Sequence, residues 1–105
     1  MTTPQWTDAA AEADLFEGAG IPVAPEGHDI ALFAIDGEVF ATDNLCTHGH
    51  AKLCDGFLEG HEIECPFHQG RFDVRSGAPT CAPATEAVKT WPVKVEGGRV
   101  YLDLG

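Results

Sequence analysis

The sequence predicts an all-β fold, a small antiparallel sandwich or barrel. Its apolar residues fall in short runs, and several runs alternate apolar with polar residues, which is typical of strands with one buried face. Twelve glycines and seven prolines separate these runs. Asp36-Gly37 and Gly97-Gly98 each lie between two runs and indicate two-residue hairpin turns. The 105 residues leave room for one domain, so we expect a single domain over residues 1–105.

The elements follow in chain order. Residues 9–18 are expected to form a short helix, with Asp8 as its N-cap and Gly18 at its end. Eight or nine short strands are expected after it, which is typical of a sandwich or small barrel. The predicted strands are residues 21–24, 29–35, 38–42, 57–58, 62–64, 71–74, 90–96 and 99–104.

Three segments do not follow the strand pattern. Residues 76–85 are expected to form a stiff loop because they contain glycine and two prolines. Residues 43–55 contain the motif Cys46-Thr47-His48, and residues 65–70 contain Cys65-Pro66-Phe67-His68. Irregular segments on a rigid β scaffold often carry the functional residues, so these two motifs are the candidate site.

The two motifs form a four-ligand set for a metal centre. Their spacing is Cys-x-His, sixteen residues, then Cys-x-x-His, and residues 55–64 between them can form one hairpin whose ends lie together. Two thiolates and two imidazoles suit zinc or an iron–sulfur cluster. Each loop supplies one cysteine and one histidine and no helix is predicted beside them, which favours a Rieske [2Fe–2S] centre with both cysteines on one iron and both histidines on the other. A zinc-stabilised binding module is the alternative.

The composition limits the partners and the compartment. Seventeen acidic residues oppose six basic ones, giving a formal net charge of −11, which argues against nucleic acid and anionic membranes and favours a positively charged partner. Residues 1–14 have no basic and apolar signal sequence, and no apolar run approaches the ~20 residues of a membrane span. We therefore expect a cytoplasmic protein, in which Cys54 and Cys81 are free thiols rather than a disulfide or alternative ligands.

On these motifs the chain resembles the Rieske-type ferredoxins, and more narrowly the ferredoxin components of bacterial aromatic-ring-hydroxylating dioxygenases of the naphthalene and biphenyl type. The similarity runs through residues 41–49, 55–60 and 63–73, and on through Pro83 to residues 92–95. It implies the Rieske fold, an antiparallel β-sandwich or barrel base that carries a cluster-binding hairpin subdomain at about residues 44–72.

The resemblance also implies the roles of the site residues. One [2Fe–2S] cluster would be bound by Cys46 and Cys65 on the inner iron and by His48 and His68 on the outer, solvent-edge iron. Backbone N–H groups would donate to the cluster sulfurs and a proline loop would cover the cluster. The residues of this cluster environment are Gly49, His50, Gln69, Gly70 and Pro83.

The function implied by the resemblance is that of a one-electron carrier and not of an enzyme. It would accept electrons from an NAD(P)H-dependent ferredoxin reductase and deliver them to the terminal oxygenase. The chain has no histidine after His68, so it lacks the second, mononuclear iron site of a Rieske oxygenase. The small Rieske subunit of an assimilatory nitrite reductase is the alternative. High-potential Rieske proteins carry a disulfide at positions that are Ala51 and Phe67 here, so we expect a potential in the lower part of the Rieske span, about −150 to +300 mV.

Overall fold

A computed structural model describes residues 5–47, 51–66, 69–82 and 84–104, which contain only strands, short 3-10 helices and loops. No helix in this part of the chain is long and apolar enough to cross a membrane. The predicted all-β class is confirmed. The strands are β1 Trp6–Ala11, β2 Gly20–Val23, β3 Ile30–Ile35, β4 Glu38–Asp43, β5 Phe57–Glu59, β6 Glu62–Glu64, β7 Arg71–Asp73, β8 Pro79–Cys81, β9 Thr90–Trp91, β10 Val93–Glu96 and β11 Arg99–Asp103. The 3-10 helices are Glu12–Asp14, Pro25–Gly27 and Leu53–Asp55.

Three sheets are stacked, and the sheet with strand order β2-β3-β4-β9 lies in the middle. Along β3, Ala31, Phe33 and Ile35 belong to the core shared with the β5-β6-β7-β8 sheet. The alternate residues Ile30 and Leu32 belong to the core shared with the β1-β11-β10 sheet. Because both faces of β3 are covered, its sequence is a continuous apolar run rather than an alternating one.

The core beside the predicted metal centre is apolar and closed. Phe33, Ile63 and Phe72 are fully buried in it, and burying each such side chain stabilises the fold by about 1.5–3 kcal/mol. Cys46 and Cys65 belong to the same core. The two predicted cysteine ligands therefore lie in one water-poor region, although they are far apart in the sequence.

The predicted helix over residues 9–18 is wrong. Residues of this segment belong to strand β1, which pairs with β11 with a register shift between Asp8 and Ala10, and only a short 3-10 helix follows it. The Arg99 guanidinium binds the Asp8 carboxylate across the two strands at 2.7 Å. An isolated helix of this length is marginal in water, so pairing with β11 and burial of the alanines on the core outweigh the helix propensity of alanine.

Two further differences involve proline. Pro79–Cys81 forms the edge strand β8, where the sequence predicted only a stiff loop, because an edge strand tolerates a proline that donates no hydrogen bond. The single strand predicted over residues 90–96 is divided at Pro92 into β9 and β10. The first part pairs with β4 and the second with β11, so the chain passes from one sheet to another at this proline.

The predicted hairpin turns are confirmed. Asp36 and Gly37 have φ values of +51° and +81°, and Gly97 and Gly98 have +59° and +78°. Two successive positive φ values are the signature of the turn that matches the twist of the flanking strands. These turns join β3 to β4 and β10 to β11.

Candidate metal centre

The first candidate ligand loop is the end of a small antiparallel ladder. Leu45 and Lys52 form an isolated bridge, and the Cys46 N–H donates to the Ala51 carbonyl at 3.0 Å. Residues 47–50 connect these two bonded residues in the sequence, and this segment is called the first ligand turn below. His48 is in this turn but lies outside the described residues, as do its predicted neighbours in the cluster environment.

The second candidate ligand loop closes in the same way. Strands β6 and β7 pair up to Glu64 and Arg71, and the Cys65 N–H then donates to the Gly70 carbonyl at 2.7 Å. Residues 66–69 connect Cys65 to Gly70 in the sequence, and this segment is called the second ligand turn below. Each predicted cysteine ligand is thus the residue at which a ladder ends and a turn begins.

The two cysteines predicted as ligands are both buried. Cys46 is 2% exposed and Cys65 is 0% exposed, in the same apolar core. The structure buries both of these soft sulfur donors in one core, and the sequence places one histidine two or three residues after each cysteine. Within the described ranges, which do not include His48 and His68, no cluster of three or more potential metal ligands is found.

The cluster environment predicted from the resemblance is described only in part. Gln69 has a φ of +61°, the left-handed region that non-glycine residues rarely adopt. Gly70 is buried, and its carbonyl accepts the bond that closes the second turn. Gly49, His50 and Pro83, the other predicted members, lie outside the described residues.

The loop that follows β8 is fastened beside the first ligand turn. Ala84 and Val88 are buried in the core that contains Cys46. The Val88 N–H donates to the Gly77 carbonyl at 2.9 Å. The Thr47 hydroxyl, which lies between the two predicted ligands of the first loop, donates to the Glu86 carbonyl at 2.9 Å. The buried side chains and these two hydrogen bonds hold the loop next to Thr47.

Sequence reasoning missed a buried amide that holds the base of the first ladder. Asn44 is 2% exposed, and its side-chain amide donates to the Asp29 carboxylate at 3.0 Å and accepts from the Cys54 N–H at 2.9 Å. Its backbone carbonyl accepts from the Leu53 N–H at 2.6 Å. Asn44 thus joins the start of β3 to both ends of the segment that carries the first ligand turn. An asparagine at a strand end gives no local signal of this role.

Two groups near this ladder have shifted pKa values. The pKa of the Asp29 carboxyl is held below its usual range, mainly by the hydrogen bond from the Lys52 ammonium and to a smaller extent by the hydrogen bond from Asn44. Burial raises the pKa of the Cys54 thiol. Cys54 and Cys81 are both free thiols in the structure.

A charged side chain lies at the end of the second ladder, next to the second ligand turn. The Arg71 guanidinium lies 2.9 Å from a carboxylate oxygen of Glu64 and 3.6 Å from one of Glu62. Its bond to Glu64, with the further glutamates beside it, raises the pKa of Arg71 above its ordinary value. The positive charge of Arg71, next to the second ligand turn, is therefore compensated by an ion pair.

The chain is similar in sequence and structure to known ferredoxins. The chain is 57% identical over 102 residues to the ferredoxin component of the naphthalene 1,2-dioxygenase system of Pseudomonas aeruginosa, covering 97% of this chain and 98% of that protein. The structure of a ferredoxin from Sphingomonas yanoikuyae B1 matches with a TM-score of 0.91 and 42% identity over 96% of this chain and all of that one.

A third similarity involves a complex. A chain in the complex of reduced oxygenase and oxidised ferredoxin of carbazole 1,9a-dioxygenase matches with a TM-score of 0.87 and 35% identity, over 96% of this chain and 94% of that chain. Proteins assigned as nitrite reductase small subunits share the fold at 25% and 26% identity.

A family model described as the Rieske [2Fe–2S] domain matches residues 5–92, which is most of the chain. Such a domain holds a single Rieske-type [2Fe–2S] cluster, as the two motifs predicted. On this match and on its similarity in sequence and fold to known ferredoxins, the chain belongs to the Rieske [2Fe–2S] domain family.

Proposed function

We propose that the protein is the one-electron carrier of an aromatic-ring-hydroxylating dioxygenase system. It accepts electrons from an NAD(P)H-dependent ferredoxin reductase in the cytoplasm and delivers them to the terminal oxygenase. The observation that carries this proposal is the 57% identity, over nearly the full length of both chains, to the ferredoxin component of a naphthalene dioxygenase system. The ferredoxin–oxygenase complex of the related carbazole system supports the oxygenase as the delivery partner.

The proposed ligands are those that the motifs predict. Cys46 and Cys65 bind one iron, and His48 and His68 bind the other. The backbone around the two turns and the loop after β8 form the surroundings of the cluster. The proposed surrounding residues are Gly49, His50, Gln69, Gly70 and Pro83.

The residues of this chain suit electron transfer rather than catalysis. A [2Fe–2S] cluster held here supplies one site that takes up and releases a single electron. Cys46 and Cys65 lie in a buried core, and the backbone N–H of each is hydrogen-bonded, so both residues would be held in place when the charge of a bound cluster changes. The Thr47 bond to Glu86 holds the loop after β8 against the first turn. These contacts position and shield the centre, and the proposed reaction asks nothing more of the chain.

A reconstitution assay tests this proposal. Naphthalene-dependent oxygen uptake is measured with NADH and the purified reductase and oxygenase of the Pseudomonas putida naphthalene 1,2-dioxygenase system, in which a relative 55% identical to this chain is the ferredoxin. We expect uptake to require this protein and to rise with its concentration. Absence of any stimulation, with an intact iron–sulfur spectrum, would refute the carrier function in this type of system.

Two outcomes distinguish the alternatives. Zinc in place of iron in the purified, colourless protein would support the zinc-stabilised module. Stable copurification with a large nitrite-reducing subunit would support the nitrite reductase small subunit, in which the cluster is a fixed component rather than a shuttle. The higher identity to ferredoxin components favours the carrier over this second alternative.

A further inference from the structure

The β5–β8 sheet has one face in the core and one face in solvent. Leu58, Ile63 and Phe72 point into the core, so the alternate residues on the paired strands point outward. We call the solvent side the outer face. Its residues are Phe57, Glu59, Glu62, Glu64, Arg71, Asp73 and Cys81.

Phe57 is an exposed aromatic side chain at the ligand end of the outer face. It is 66% exposed. It lies opposite Glu64, the residue directly before Cys65, so it is at the end of the sheet where the second ligand turn begins. A large aromatic side chain in water gains nothing for the folded monomer, whereas aromatic residues are the usual anchors of protein interfaces.

Acidic residues surround this aromatic side chain. Glu59 and Glu62 lie opposite each other on the outer face, and Glu64 lies opposite Phe57. Arg71 is bound to Glu64 and Glu62, so its positive charge is already compensated. These three glutamates outnumber Arg71, so the outer face has a net negative charge.

The chain has no basic residue free to reverse this charge. All six of its lysines and arginines lie in the described ranges, and each contacts a partner within the chain. Five bind carboxylates and one lies over an aromatic ring. The contacts are Lys52 with Asp29, Arg71 with Glu64, Arg75 with Asp73, Lys94 with Glu96, Arg99 with Asp8, and Lys89 over Trp91.

We propose that the outer face is the surface on which the terminal oxygenase docks, with Phe57 in an apolar recess of the oxygenase and lysines or arginines of the oxygenase around Glu59 and Glu62. The proposal rests on the proposed function, which supplies the oxygenase as partner. Redox encounters use small interfaces, so one aromatic anchor with a charged rim is sufficient. Charge complementarity accelerates such encounters more than it strengthens them.

The experiment compares two variants of the outer face with two matched controls. The variants are Phe57→Ser and Glu59→Lys, and the controls are Phe16→Ser and Glu38→Lys. Phe16 is 67% exposed, which matches Phe57, and Glu38 is exposed like Glu59. Stopped-flow spectroscopy measures electron transfer from each reduced holoprotein to the Pseudomonas putida naphthalene dioxygenase oxygenase, and from the reductase of that system to each oxidised holoprotein.

The controls are distant from the ligand turns. Glu17, next to Phe16, accepts a bond from the Asp36 N–H at 2.8 Å, which places Phe16 near the β3–β4 turn. Glu38 begins β4 just after this turn. The first ligand turn follows Asn44, at the opposite end of the same hairpin.

We expect Phe57→Ser to lower the second-order rate constant toward the oxygenase about tenfold, the equivalent of ~1.4 kcal/mol. Glu59→Lys should lower it several-fold at low ionic strength, and the difference should disappear at high salt. The controls should stay within twofold of the parent protein. Midpoint potentials and EPR spectra of all four variants should be unchanged, which shows that the cluster is intact.

Other results overturn the docking surface. One is that both outer-face variants transfer electrons to the oxygenase as fast as their controls. Another is that only the transfer from the reductase slows. If Phe57→Ser alters the EPR spectrum, the proposal is judged on Glu59→Lys alone, by comparing its rate of electron transfer to the oxygenase with that of Glu38→Lys. Failure of the parent protein itself to reduce the oxygenase would refute the proposed function, which is distinct from a working parent with unaffected variants.

Discussion

The replacement of Gly77 by alanine tests how the loop after β8 is held. Gly77 has a φ of +81°, and a Cβ atom added to it would lie 2.0 Å from the Val88 carbonyl oxygen and 3.2 Å from the Thr90 Cγ2 atom. The first distance is far below van der Waals contact, and the atom in the way is backbone. The Val88 segment must therefore move away from Gly77, to which it now donates a hydrogen bond.

The expected loss of stability has three parts. A non-glycine residue in the left-handed region costs about 1 kcal/mol. Loss of the Val88–Gly77 hydrogen bond costs about 0.5–1.5 kcal/mol. Partial exposure of the Val88 side chain forfeits part of the roughly 1.5–3 kcal/mol that its burial contributes. Gly77→Ala should therefore lower the free energy of unfolding by about 3–4 kcal/mol.

Gly98→Ala is the matched control. Gly98 has a φ of +78°, and nothing lies within 4 Å of its added Cβ atom, so only the backbone term of about 1 kcal/mol applies. At roughly 4–8 °C per kcal/mol, the melting temperature should fall by about 5 °C for Gly98→Ala and by about 15 °C or more for Gly77→Ala. Far-UV circular dichroism and the visible absorbance of the holoprotein are followed together under anaerobic heating. Equal melting temperatures for the two variants would refute the reasoning.

Three further results are expected. Asn44→Ala leaves the Cys54 N–H without its acceptor and should lower the free energy of unfolding by about 1–3 kcal/mol, measured by denaturant titration; an unchanged midpoint would contradict this role. Iodoacetamide at pH 8 should label Cys81 well before Cys54, because Cys81 is exposed and burial raises the pKa of Cys54. The order of labelling is measured by peptide mass spectrometry, and earlier labelling of Cys54 would contradict this prediction. An EPR-monitored redox titration should give a midpoint potential below about +100 mV, and a higher value would count against the inference drawn from Ala51 and Phe67.

The sequence predicted the strands whose side-chain pattern or turn chemistry is local. The hairpin at Asp36-Gly37 is an example, because an Asp-Gly dipeptide favours the two successive positive φ values that the turn requires. Strand β1 could not be recognised, because its alanines favour a helix in isolation and only pairing with β11 makes them extended. Strand β8 was missed for a similar reason, since a proline at a sheet edge has the same local sequence as a loop.

The candidate site shows the same division. Cys46 and Cys65 were predicted as ligands from their spacing with histidines, and the structure buries both in one core. The contacts that fasten their surroundings join residues distant in sequence. Thr47 forms a hydrogen bond with Glu86, and Asn44 forms one with Asp29. No local sequence motif predicts either contact. Such contacts depend on how the sheets stack, which spacing alone does not specify.

The ligand set is the central claim, and pulsed EPR of the reduced protein labelled with ¹⁵N-histidine tests it most directly. We expect couplings to two imidazole nitrogens bound to one iron. One coupling should be lost in His48→Asn and the other in His68→Asn, while His61→Asn, a control on the β5–β6 turn, keeps both. A spectrum without imidazole coupling, or one in which both couplings survive in His48→Asn or His68→Asn, would contradict the proposed centre.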